Sequence, residues 1–369
     1  MTTTMMWAPS KATRDGLRPT LRQHTADGAP TGGLDEGRTI ELLEKTIASA
    51  VLAPSSHNTQ PWLFQIRWGA LELHLDRSRA LPVADPACRE LTISCGAALQ
   101  NIRVALRHWG FAGRIEVLPY ASNPDVLARV LPGVPHTPSS RDELLYGAIP
   151  RRHTSRAPFI AASIRASLVA ALQHAAEGEG VWLRPVADGG LRSVVAELIA
   201  AGDRRQWADR AFRRELAEWM RPNDGATRDG MPGYAFGLSA VASRLAPTLL
   251  RWVPRGRAQA ARDCALALDA PLLAVLGTSG DAPRDWLAAG QALQRMLLLA
   301  AAHGMSASFL NQPVQLPALR ARLRTLIGGT GFPQVVLRMG YGPQAGPTPR
   351  RAVRDVLDPP LARARLVGV

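Results

Sequence analysis

The chain has 369 residues, of which 46% are hydrophobic and 20% charged, and it carries a formal net charge of +14. That balance excludes a largely disordered, collagen-like or disulfide-rich secreted chain, and the length suits two domains. No stretch reaches the roughly 18 uninterrupted apolar residues of a spanning helix. The longest candidates are cut by Asp269 with Pro271 and by His303 with Gly304.

The first 33 residues have neither an apolar secretory core nor periodicity and read as a flexible tail. From residue 40 to 51, Ile40, Leu43, Ile47 and Val51 outline an amphipathic helix that Pro54 stops. Strands are expected at 63–67 and 71–75, turning at Gly69, followed by a helix over 91–109. Short strands follow at 115–118 and 126–131, and the Pro-rich stretch 131–138 reads as a linker. Further helices are expected at 141–149 and 164–176, with a strand at 181–185 and one long helix over 191–219. The Gly- and Pro-rich segment 221–233 is long enough for a lid or binding loop. A strand at 272–276, a helix at 283–303, a strand near Ser306, a helix at 317–327 and a strand at 334–338 complete the chain.

One internal similarity stands out. The run from Gly96 to Gly110 aligns without gaps on the run from Gly290 to Gly304, with Gly, Ala, Leu, Gln and the terminal Gly shared. A duplicated α+β unit would produce it, and so would two ordinary Ala/Leu-rich helices with glycine caps.

Only Lys11 and Lys45 of the 44 basic residues are lysines. The arginines are scattered, without a basic run or interleaved aromatics, so no nucleic-acid partner is expected. No membrane partner is expected either. Three cysteines form no C-x-x-C, which points to a reducing cytoplasm. Cys88 and Cys95, seven apart, would share one face of a helix as small buried residues. His57, His153 and His303 have no metal-caging spacing, and no dinucleotide, P-loop, metalloprotease or nucleophile-elbow motif is present.

Two polar segments remain. Pro54-Ser-Ser-His-Asn-Thr-Gln-Pro-Trp62 sets amide and hydroxyl groups beside an aromatic ring, as the edge and face of a planar heterocycle require. A self-capping loop would use the same residues. Arg151-Arg-His-Thr-Ser-Arg156 offers three guanidinium groups and two hydroxyls, a phosphate cradle or a solvated basic turn. A third cluster, Pro347-Thr-Pro-Arg-Arg351, follows Gly340-Tyr-Gly342.

With Leu310-Asn-Gln-Pro313 and Phe332-Pro-Gln334, these motifs resemble the nitroreductase superfamily, specifically its Acg-like FMN-binding branch. The resemblance covers about residues 37–357. It implies an α+β sandwich whose ordinary members dimerise and build FMN sites across the interface. Here both contributions occur once in one chain, which implies two fused halves mimicking the homodimer. The halves are 34–138 and 139–358, with a lid insertion near 221–250 and a tail over 359–369. One flavin site per chain follows, and a monomer suffices.

Position by position, the resemblance assigns Arg152, Thr154 and Arg156 to the phosphate and the pyrimidine edge of the flavin. Pro54, Ser55 and Asn58 fall to the ring and ribityl chain, and Arg350 and Arg351 to the phosphate. Asn311 or Gln312 lies where the family donates to flavin N5. The implied activity is hydride transfer from NAD(P)H through FMN to a small-molecule acceptor such as a nitroaromatic or quinone. The flavin carries the chemistry, with no catalytic side chain and no metal. The alternative is an FMN-binding or sequestering protein without turnover.

Overall fold

Asp35 accepts a hydrogen bond from the Arg38 amide and so caps α1 (Glu36–Ala50), whose buried face carries Leu42, Leu43, Thr46, Ile47 and Ala50. This computed structural model describes residues 34–358; the expected tails at 1–33 and 359–369 lie outside the described residues. After α1 come β1 (Trp62–Arg67), β2 (Ala70–Leu75), α2 (Arg89–His108), β3 (Phe111–Val117) and β4 (Val126–Pro135). Every neighbouring pair is antiparallel, and the spatial order is β1-β2-β4-β3.

The second half opens with α3 (Ser140–Ala148), α4 (Ala166–Glu177) and β5 (Val181–Pro185). Then follow α5 (Gly189–Ala208), α6 (Arg210–Glu218), the two-residue strands β6 (Met220–Arg221) and β7 (Met231–Pro232), α7 (Ala240–Trp252) and α8 (Gly256–Leu268). The chain continues through β8 (Leu272–Thr278), α9 (Pro283–Ala302), β9 (Ser306–Phe309), α10 (Gln312–Gln315), α11 (Pro317–Leu326) and β10 (Phe332–Gly340) to α12 (Val353–Val356). Its antiparallel sheet has the order β5-β8-β10-β9. Both sheets therefore place their first, second, fourth and third strands side by side. The architecture is an α+β sandwich of two halves with one topology.

Helices α2 and α9 pack between the sheets and cross where Gly96 and Gly290 let the backbones touch. In β10, Val335, Leu337 and Met339 join the core around α9, while Val336 faces the core around α5 and α11. A strand covered on both faces reads as a continuous apolar run.

Three expectations change. The Pro-rich stretch 131–138 is not a linker throughout, because β4 continues to Pro135 and pairs Leu131 with Arg114 and Pro135 with Phe111. Pairing with β2 ends at Val130, so beyond it β4 has a neighbour on one side only, where proline is tolerated. The long helix at 191–219 is broken at Asp209, which turns extended (ψ 121°) and caps α6 through the Ala211 amide. Cys88 precedes α2 in a left-handed conformation and is half-buried, so it does not share a helix face with the buried Cys95. Helices α7 and α8 fill a stretch that periodicity alone leaves unassigned.

Candidate functional site

Between α1 and β1 the chain makes an unusual turn: His57, Asn58 and Gln60 all adopt positive φ (51°, 55° and 52°). Left-handed backbone at three non-glycine residues persists only where surroundings enforce it. The Ser55 hydroxyl accepts from the Gln60 amide, and the side chains of Asn58 and Gln60 do the rest. Asn58 Nδ2 donates to the carbonyls of Gly230 (2.9 Å) and Pro349 (3.0 Å), and its Oδ1 accepts from Arg350 (2.8 Å). Gln60 donates to the Arg228 carbonyl and accepts from the Arg351 amide, each at 2.8 Å. These two amides clasp the 221–233 segment and the C-terminal segment onto the loop.

Beside this clasp lie two guanidinium groups, that of Arg152 buried and that of Arg350 partly buried. Arg152 donates one hydrogen bond to the Leu52 carbonyl (3.2 Å), and its Nε has no partner. Arg350 bonds Asn58, Thr348 and the Pro349 carbonyl, and its Nε is likewise unpartnered. Neither has an ion pair with a carboxylate among the described residues. Burial, and then Arg350, brings Arg152 down to about 9; burial brings Arg350 down to about 10. Two guanidinium groups shielded from water without a neighbouring acid can pair with an anion.

A cavity of about 290 Å³ opens at the same loop. Pro54, Ser55, Thr154, Arg156, Asn311 and Gln312 all line it, with apolar walls from Trp207, Phe212, Phe309 and Leu293. Thr154 bridges to Ala307 on β9. The Arg156 guanidinium lies 4.5 Å from the Phe236 ring centroid, and burial lowers it to about 10. His57 also lines the cavity; burial, then Arg156, depresses its imidazole to about 4.

Thus six of the ten sequence-derived residues share the cavity wall; Asn58 bonds Arg350, whose charge reaches Arg152. The Asn58 amide is engaged by protein groups on both of its polar atoms. Arg351 is elsewhere: it donates to the carbonyls of Gln60, Trp62 and Asp355 and lies 3.5 Å from Asp76. That arrangement ties the C-terminal segment to the first sheet.

Three carboxylates escaped the sequence reading. Glu90 is buried at the start of α2 and accepts from Ser56, Asn311 and Gln315. Asp203 and Asp263 both accept from Gln312 Nε2, at 3.0 and 2.8 Å. Burial, then Asp263, pushes Asp203 up to about 7. One signal was available: Gly202 interrupts a helix where a Cβ would collide with Gln312, and glycine inside a helix marks such an approach. Among the described residues no group of His, Cys, Asp and Glu has metal-binding geometry.

A family model described as "Nitroreductase family" matches residues 151–341. The chain belongs to that family. Its relatives include "Putative NAD(P)H nitroreductase Rv3131" of Mycobacterium tuberculosis (strain ATCC 25618 / H37Rv), 31% identical over 87% of this chain and 92% of the relative. "Putative NAD(P)H nitroreductase acg" of the same strain is 27% identical over 86% of this chain and 96% of its own length. These relatives place the chain in the Acg-like branch of the nitroreductases. Among solved structures, the FMN and NADPH-dependent nitroreductase NfnB from Sphigopyxis sp. strain HMH is 19% identical, with a TM-score of 0.40, over 58% of this chain and 97% of that one.

Proposed function

We propose that this nitroreductase-family chain binds one FMN and acts as an NAD(P)H-dependent oxidoreductase on a small acceptor. The observation that carries the reading is the pair of acid-free guanidinium groups, the buried Arg152 and the partly buried Arg350, beside a cavity walled by Pro54, Ser55, Thr154 and Arg156. The unpartnered Nε atoms suit the phosphate of FMN, and the cavity's aromatic and apolar walls suit a planar ring. The names of the relatives, as NAD(P)H nitroreductases, support the electron donor.

FMN bound here would supply the hydride relay from NAD(P)H to a nitroaromatic or quinone-like acceptor. The chain's own part is to bind and orient. Arg152 and Arg350 hold the phosphate, with Arg351 fixing the segment that carries Arg350. Thr154 and Arg156 face the ring, and the Arg156 charge opposes negative charge that develops there. Pro54 and Ser55 wall the ring, and the backbone N–H of Asn311 or Gln312 is offered to its edge, because their side-chain amides are already bonded to Glu90, Asp203 and Asp263. The two halves act as a fused dimer in this reading, divided near residues 138 and 139, so one polypeptide completes the site. Three free cysteines fit a cytoplasmic setting.

A second reading, FMN storage without turnover, is favoured by one feature. Met231 and Phe236 line the cavity, and residues 228–230 are clasped over its entrance loop by Asn58 and Gln60. Steady-state oxidation of NADPH by the FMN-loaded protein with an added quinone separates the two. Sustained turnover supports the oxidoreductase, and tight FMN binding with no turnover supports storage. Protein that neither copurifies with nor binds FMN sinks both.

A further inference from the structure

Between residues 231 and 262 the chain carries five arginines and no acidic residue. Helix α7 lies in the middle of this stretch. Val241, Leu245, Leu249 and Trp252 are 69, 56, 45 and 65% exposed, and their spacing of four, four and three places them on one helical face. The other face is anchored: Ser243 is buried, and Ala246 packs with Met220 and Met231. Arg244 and Arg251 flank the apolar stripe along α7, and Arg255 and Arg257 continue the charge into α8. All four are exposed, and none has an ion-pair partner among the described residues. The Arg210 guanidinium adds a further cation, 5.0 Å from the Trp252 ring centroid.

The charge pattern narrows what could cover this face. A second copy docking through the same surface would set arginines against arginines. The chain's own ends are also cationic: residues 1–33 carry Lys11, Arg14, Arg18 and Arg22 against Asp15 and Asp27, and residues 359–369 carry two arginines and no acid. A nucleic acid would match the arginines but leave the apolar stripe in water. An anionic lipid surface satisfies both parts at once, because it accepts apolar side chains at the acyl boundary and pairs arginines with phosphates.

We propose that α7 is an in-plane membrane-binding helix, seating Val241, Leu245, Leu249 and Trp252 in an anionic bilayer while Arg244, Arg251, Arg255 and Arg257 meet its headgroups. No described helix is long and apolar enough to cross a membrane, and a helix lying in the interface needs no such length. The expectation of no membrane partner rested on that missing span alone. Binding of this kind does not depend on flavin chemistry, so it stands or falls separately from the oxidoreductase reading.

The full-length protein is sedimented with phosphatidylcholine vesicles and with vesicles containing about a third phosphatidylglycerol, at ~0.1 and ~0.5 M salt. Binding to the anionic vesicles, weakened by salt and absent from the neutral ones, is expected. The double variant Leu245→Glu with Leu249→Glu, checked for folding by circular dichroism, should lose at least about tenfold in partitioning. A second variant, Arg251→Gln with Arg255→Gln, keeps the stripe and should lose several-fold. Equal binding to both vesicle types, or to neither, overturns the proposal. So does undiminished binding by the glutamate variant, which would assign the effect to diffuse net charge. A dimer in solution that the glutamate variant dissociates also overturns it, because the face would then belong to a second copy.

Discussion

Gly96 on α2 and Gly290 on α9 touch in a reciprocal contact. A Cβ added to Gly96 would overlap the carbonyl oxygen of Leu287, and one added to Gly290 would overlap that of Ile93. Ile93 and Leu287 are separated along the chain by the same offset as the two glycines. This is the i-to-j, j-to-i pattern of a two-fold interface, here within one polypeptide. The ungapped alignment of the two helices therefore reflects equivalent positions in equivalent halves.

The contact has no room to spare. Gly290→Ala should destabilise the protein by about 1–3 kcal/mol, as overpacking does at a closed backbone crossing. Chemical denaturation would show a lower midpoint with an unchanged slope. A midpoint equal to the wild type would mean that the helices separate freely.

Arg152→Ala should weaken FMN binding by roughly 1.5–3 kcal/mol, the scale of a hydrogen bond to a charged group. Arg141→Ala, at an exposed position on α3, should leave it unchanged. Fluorescence titration of FMN distinguishes the two. Equal losses would make net charge, rather than a shaped phosphate site, the source of affinity.

His57 supplies a pH dependence with a definite sign. Its folded value, about 4, lies below the ordinary histidine value because of burial and Arg156. The fold thus favours the neutral ring, and stability is complete above about pH 6.5 and falls as pH drops towards about 4. The loss should be roughly 1–3 kcal/mol. His57→Asn, which tolerates the left-handed backbone, should flatten the stability profile across that window.

Asp203 has the opposite sign. Burial and Asp263 hold its folded value at about 7, above the ordinary carboxyl range. The fold therefore favours the protonated acid, and stability is lost as pH rises from about 4 through about 7. Asp203→Asn keeps an acceptor for Gln312 and removes the buried charge. Thermal unfolding should show the variant gaining over the wild type at about pH 8 and not at about pH 4.

Shortening the 221–233 segment should speed reduction of bound FMN by NADPH in stopped-flow, if the Asn58–Gly230 and Gln60–Arg228 clasp limits entry. A shortened protein that binds FMN and is reduced at the original rate would make the segment a scaffold.

Much of the fold was legible because its elements are locally consistent. The 3.6-residue spacing of α1, the period-two hairpin of β1 and β2, and the glycine-ended helices α2 and α9 each carry their own signal. Where tertiary pairing overrides local chemistry, the reading failed. Prolines in β4 look like a linker until β3 is beside them, and Asp209 breaks a helix whose periodicity runs on. In the site, short polar motifs marked Pro54, Ser55, Thr154 and Arg156. Glu90, Asp203 and Asp263 carry no such mark, because a carboxylate on a helix reads as solvated until its neighbours are known. Likewise, nothing in the order of residues revealed that Asn58 and Gln60 would serve as hooks for distant carbonyls.

The clasp joins residues almost three hundred positions apart: Asn58 holds Arg350, and Gln60 holds the backbone of Arg351. When such parts belong to separate subunits, diluting the protein dissociates the site. Here each part sees the other at an effective concentration set by the covalent chain. Occupancy of this arrangement is therefore a property of a single molecule. It should be indifferent to how much of the protein a cell makes, so a handful of copies would be as complete as a thousand.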